Sequence, residues 1–198
     1  MKEFNIVVTG IGGQGVLTLA SIIAEAALRQ GYDVKTSELH GLAQRGGTIP
    51  CHVRFGEKIY SPIVREGEAN LVIGLEPLEA LRACYYGSKE NKTVFLIDTY
   101  RVIPISVSVV GERYPPLDEM KNILKNFSSE AIFLNASEIV KKETGSIVAT
   151  NIYLLGYASR CLIPIKREFL FEGIREVVPE KYFEMNKKIF ELGCKAVV

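Results

Sequence analysis

Residues 4–24 read FNIVVTGIGGQGVLTLASIIA, a run without a single charged side chain. Such a run is long enough to cross a bilayer, but its middle argues otherwise. Gly10, Gly12, Gly13, Gln14 and Gly15 interrupt it, Asn5 is polar, and Lys2 is offset by Glu3, so the basic start of a signal peptide is missing. The run therefore reads as a buried strand, Phe4–Thr9, a glycine turn, and a buried helix, Val16–Gln30, with Leu17, Ala20, Ile23, Ala24 and Ala27 on one face. Gly31 falls where a helix-ending glycine is expected.

Working outward, the same alternation continues. Strands are predicted at Asp33–Ser37, Thr48–Phe55, Asn70–Leu75, Thr93–Asp98 and Ala131–Asn135. Helices are predicted at Pro77–Tyr86, Leu117–Phe127, Ser137–Thr144, Ile147–Ile163, Lys166–Val177 and Glu180–Ala196, with Asn151 and Pro164 as breaks in the fourth of these. Thr48–Phe55 alternates and resumes after Gly56 at Ile59–Tyr60, which suggests a hairpin. Arg101–Pro116, with three prolines, reads as an irregular excursion carrying one edge strand. Strands alternating with helices predict an α/β fold: a mainly parallel, Rossmann-like sheet with helices on both faces and a helical C-terminal layer. No linker or repeat divides the 198 residues, so residues 1–198 are taken as one domain.

Composition narrows the function classes. Lys+Arg number 24 and Asp+Glu 23, a net charge of +1, which gives no electrostatic reason for a nucleic-acid or membrane partner. Cys51, Cys84, Cys161 and Cys194 are far apart and form no CxxC, which argues against a metal or iron–sulfur site held by this chain alone. Free thiols in a reducing cytoplasm are the expectation.

Two loops carry the chemistry. Gly10–Gly15 (GIGGQG) fits GxGxxG between a strand and a helix, where bare backbone lets a ligand approach and free helix amides favour a phosphate. Glu38 lies at about the distance of the acidic residue in a dinucleotide fingerprint, so an NAD(P) reading stays open beside that of a ligand-free turn. The second loop, Ser37–Gly47 (SELHGLAQRGG), sets Arg45 beside Gly46 and Gly47, a fork donor next to bare backbone that suits a carboxylate, a phosphate or a partner's carbonyl. An internal ion pair, for instance to Glu38, is its alternative. His40 reads as a surface histidine because no nucleophile or paired base accompanies it. His52 and Arg54, alternating with Cys51 and Val53, suggest an exposed or interfacial strand face. Both loops are expected side by side at the carboxyl edge of the sheet.

No GxxxxGK[ST], GxSxG or HExxH occurs. A scaffold with two ligand-type loops and no self-contained catalytic set favours a subunit that completes another chain's active site.

The pair VVTGIGGQGVLTLASIIAEAA and SELHGLAQRGGTIPCHVRFG resembles the gamma-type domain of the 2-oxoacid:ferredoxin oxidoreductases, and within them the small subunit of the indolepyruvate type. The motif likeness covers about the first 75 residues. It implies oxidative decarboxylation of an arylpyruvate to an acyl-CoA with electrons passed to ferredoxin. It further implies thiamine diphosphate and [4Fe-4S] clusters on a larger alpha subunit, none held by this chain, and coenzyme A as co-substrate. Gly12, Gly13, Gln14 and Gly15 match the family's first loop, and Gln44, Arg45, Gly46 and Gly47 its second. These eight positions are the candidate cofactor-binding residues. The residues themselves leave open the gamma subunit of a pyruvate, 2-oxoisovalerate or 2-oxoglutarate enzyme, a stand-alone NAD(P)-binding oxidoreductase, and a non-enzymatic interface module.

Overall fold

The computed structural model describes residues 2–38, 47–103 and 113–196. The predicted alternation forms β1 (Glu3–Ile11), α1 (Val16–Arg29), β2 (Asp33–Glu38), β3 (Thr48–Gly56), β4 (Leu71–Gly74), α2 (Pro77–Arg82), β5 (Val94–Asp98), α3 (Leu117–Leu124), β6 (Glu130–Leu134), α4 (Ala136–Thr144), α5 (Thr150–Ala158), α6 (Arg167–Val177) and α7 (Phe183–Cys194). One six-stranded sheet runs β2-β3-β1-β4-β5-β6. β1, β4, β5 and β6 are mutually parallel, and β3 runs antiparallel to both β1 and β2. This is the expected α/β architecture, mostly parallel with helices on both faces.

Alternation along β1 divides the core. Ile6 and Val8 face a large layer that includes Leu19, Ile22 and Ile23 of α1, Ile152, Leu154 and Leu155 of α5, and Ile189 and Phe190 of α7. Val7 faces a smaller layer with Val72, Phe95, Ile97, Ala80 and Leu124. α5 is buried on every side except Tyr157, which explains its nearly continuous apolar sequence. It crosses α7 at backbone contact. A Cβ on Gly156 would collide with the Phe190 carbonyl oxygen, and one on Gly193 with that of Tyr153.

Several expectations need correction. β3 does not turn at Gly56 into a hairpin with Ile59–Tyr60; residues 57–70 form no strand. Its partners are β2 and β1, with Val53 opposite both Thr36 and Ile6. The central position satisfies its backbone on both sides, which a local hairpin could not do. His52 and Arg54 are consequently not on an exposed face: both are buried, at 0% and 7% exposure. Ser61, Ile63 and Val64 hydrogen-bond to them, and the ring of Tyr86 packs on His52. Arg54 donates to Asn5 Oδ1 (2.9 Å), Ser61 O (2.9 Å), Ile63 O (3.2 Å) and Glu3 Oε2 (3.0 Å). The helix predicted through Tyr86 ends at Arg82 and resumes as a short 3-10 turn at Cys84–Tyr86. The helix predicted from Ile147 starts at Thr150, and Asn151 lies inside its first turn rather than breaking it. Of Arg101–Pro116, expected to carry one edge strand, residues 101–103 and 113–116 form no strand and residues 104–112 lie outside the described residues.

Candidate functional site

The glycine turn leaves the carboxyl end of β1 beside the start of β3. Gly12 N donates to Gly47 O at 3.1 Å, so the first loop and the end of the second are in direct contact. Of the second-loop candidates, Gly47 is described; Gln44, Arg45 and Gly46, like His40, lie outside the described residues.

Gln14 is used within the fold at both ends of its amide. Its Oε1 accepts from Ile11 N at 2.8 Å, and its Nε2 donates to Leu75 O at 3.1 Å. The side chain thereby ties the end of β1 to the end of β4 and turns the next residues outward. Gly13 (φ 102°) and Gly15 (φ 79°) occupy the left-handed region that favours glycine. A side chain on Gly13 would meet nothing within 4 Å, whereas one on Gly15 would meet Asn151 Nδ2 at 2.5 Å. No side chain caps α1 at Gly15, which leaves the helix's positive end to an anion. Gly13, Gly15 and Asn151 line a cleft of about 520 Å³ together with Val148, Pro179 and Tyr182. Its lining mixes the glycines and the polar Thr18, Ser146, Asn151 and Asn186 with apolar side chains.

Two buried carboxylates on the same sheet edge escaped sequence reasoning. Glu76, just after β4, accepts from Glu79 N at 2.9 Å, from Val102 N at 3.3 Å and from the Tyr114 hydroxyl at 2.5 Å. Asp98, ending β5, accepts from Ser137 N at 3.1 Å and from the Ser137 hydroxyl. Burial pushes both carboxyls above the ordinary range, against the opposing pull of those donors. The available signal was an acidic residue closing an apolar strand, in LVIGLE and VFLID.

Glu38 ends the edge strand β2 opposite Cys51. β3 lies between β2 and β1, setting Glu38 two strand spacings, roughly 10 Å, from the strand that leads into the turn. A dinucleotide fingerprint requires the two strands adjacent. His52 accepts from Val64 N at 3.3 Å through Nδ1, and its ring meets Tyr86 edge-on at 5.0 Å. Burial, then the Arg54 charge, hold its pKa below the ordinary value. It is a fully buried core residue and does not line the cleft beside the turn. Burial and, secondarily, Glu38 push the Cys51 thiol up to about 12. Among the described residues, no group of three or more His, Cys, Asp or Glu could hold a metal ion, and no helix is long and apolar enough to cross a membrane.

The chain is 43% identical to the indolepyruvate oxidoreductase subunit IorB of Thermococcus kodakarensis and 43% identical to that of Archaeoglobus fulgidus. In both comparisons 99% of this chain and 96% of the relative are covered. In fold it is similar to the pyruvate oxidoreductase subunit PORC of Thermotoga maritima, with a TM-score of 0.73, 19% identity, and coverage of 100% of this chain and 98% of that one. The family model described as pyruvate ferredoxin/flavodoxin oxidoreductase matches residues 5–196. Motif, sheet topology and a match across nearly the whole chain agree: it belongs to the pyruvate ferredoxin/flavodoxin oxidoreductase family.

Proposed function

We propose that this chain is the small, non-autonomous subunit of an indolepyruvate oxidoreductase, in which an arylpyruvate is oxidatively decarboxylated to an acyl-CoA and the electrons pass to ferredoxin. The observation that carries this is the near end-to-end similarity to subunits of that name. Thiamine diphosphate and the [4Fe-4S] clusters belong, on this reading, to a larger alpha subunit, and the complex works in the cytoplasm.

Gly12, Gly13, Gln14 and Gly15, with Gln44, Arg45, Gly46 and Gly47, are proposed to face coenzyme A. The uncapped start of α1 suits its phosphates, and the apolar side chains of the cleft suit its less polar arm. Coenzyme A would supply the thiol that takes up the acyl group. The chain's own part is to bind and orient it and to exclude water from the joint site.

Anaerobic purification from the native cells, followed by assay, tests the reading. A larger thiamine- and iron-containing partner should accompany the chain, and indolepyruvate-, coenzyme A- and ferredoxin-dependent turnover should require both. Turnover by the isolated chain, or a complex that prefers pyruvate or 2-oxoglutarate, would overturn it.

A further inference from the structure

We propose that Asn151 is the positioning residue for the glycine turn, set at the start of α5 next to a buried polar cluster of Asp98, Ser137 and Thr150. The inference rests on the reading that this turn receives coenzyme A. Gly15 adopts its left-handed conformation with no cap from its own neighbourhood. Its carbonyl accepts from Leu19 N, the first bond of α1, and from Asn151 Nδ2, each at 3.0 Å. The second bond comes from α5, 136 residues along the chain. It fixes the plane of the Gly15–Val16 peptide, and with it the direction of the amides that open into the cleft.

The orientation of Asn151 is determined by its partners. Its Oδ1 accepts from Ile152 N at 2.9 Å, so the other end must carry the donor that meets the Gly15 carbonyl. A flipped amide would oppose carbonyl to carbonyl and donor to donor. Asn151 is 4% exposed and lies where a side chain at position 15 would stand. Glycine at 15 and asparagine at 151 are therefore one complementary device.

Residues further in hold the start of α5. Ser137 gives its hydroxyl proton to Asp98, which is fully buried. Thr150 Oγ1 lies 3.1 Å from Ser137 Oγ and 2.7 Å from Ile147 O. Thr150 has one proton for these two acceptors, so it can satisfy either, and Ser137 can satisfy its own acceptor throughout. The end of β5 and the first turn of α4 are thus joined by Ser137, the start of α5 is joined to them when Thr150 gives its proton to Ser137, and Asn151 is the next residue along the chain.

The test uses the full chain assembled with its larger subunit. Asn151→Ala should raise the KM for coenzyme A about tenfold, the value of one lost hydrogen bond of about 1.4 kcal/mol. kcat and the KM for indolepyruvate should stay within about twofold, a split that general loosening would not produce. Asn151→Asp keeps the shape, loses the donor and adds a charge, and should raise the same KM further. Thr150→Val should raise it less. An assembled Asn151→Ala complex with unchanged KM for coenzyme A overturns the proposal. Should that variant not assemble, an unchanged KM in both Asn151→Asp and Thr150→Val does so. A wild-type rate independent of coenzyme A would instead sink the coenzyme reading. The positioning claim then stands or falls on hydrogen exchange at the Leu19 amide, expected to accelerate at least about tenfold in Asn151→Ala while Phe95 is unchanged.

Discussion

A carboxylate withdrawn from water, as at Asp98, is tolerable only while donors surround it. Asp98→Ala would leave Ser137 N and the start of α4 without their acceptor. A loss of about 2–3 kcal/mol is expected, read as a fall of about 5–10 °C in Tm by calorimetry. His52 gives a pH effect of defined sign. Its folded pKa is depressed, chiefly by burial, and an unfolded histidine titrates near 6.5. Between the two values the unfolded chain binds more protons, so its contribution to stability is present above about pH 6.5 and is lost on acidification toward the folded pKa. Asp98 and Glu76 act with the opposite sign. Their raised folded pKa values contribute most below the ordinary carboxylate range, and that contribution fades as pH rises. Urea midpoints of wild type and His52→Gln at pH 7 and 5.5 separate the two, and the variant is expected to lose less on acidification. At this scale, sequence reading succeeded where backbone geometry dictates the residue, as at Gly13 and Gly15. It failed at Asn151, Asp98 and Glu76, because a polar side chain does not announce a partner 39 or 136 residues away.

Among the elements, β3 was legible as a strand but not in its place. TIPCHVRF alternates equally well against a near neighbour or a distant one, and only burial of both faces decides. Arg54 is what lets this strand sit centrally, because it satisfies the carbonyls of Ser61 and Ile63 above the sheet. Arg54→Met should cost about 2–3 kcal/mol and loosen the backbone around the already exposed Lys58, visible as faster trypsin cleavage there in limited proteolysis. The α5–α7 crossing gives a second contrast. Gly156→Ala drives a methyl into a carbonyl and should cost about 3 kcal/mol or more. Gly145→Ala meets open space and suffers only its φ of 77°, about 1–2 kcal/mol. Thermal melts of the two variants should preserve that order.

For the molecule as a whole, fold class and family were legible from two loops, since strand–glycine–helix punctuation is local and survives in sequence. The shape of the cleft was not, because Gly13, Val148 and Tyr182 meet only after β1, the α4–α5 connection and the α6–α7 junction have packed. On the subunit reading, the isolated chain should show no oxoacid oxidation under anaerobic assay, and activity should appear on mixing with the larger subunit.

The order of the sheet also sets a schedule for synthesis. β1 is made first, yet it pairs with β3 and β4, the latter complete only at Gly74, some 63 residues after Ile11. At about 5–20 residues per second, the ribosome exposes an apolar strand with two open edges for several seconds. The nascent chain should therefore depend on chaperone cover until residue 74 has cleared the exit tunnel, and slower translation of that interval should lower soluble yield.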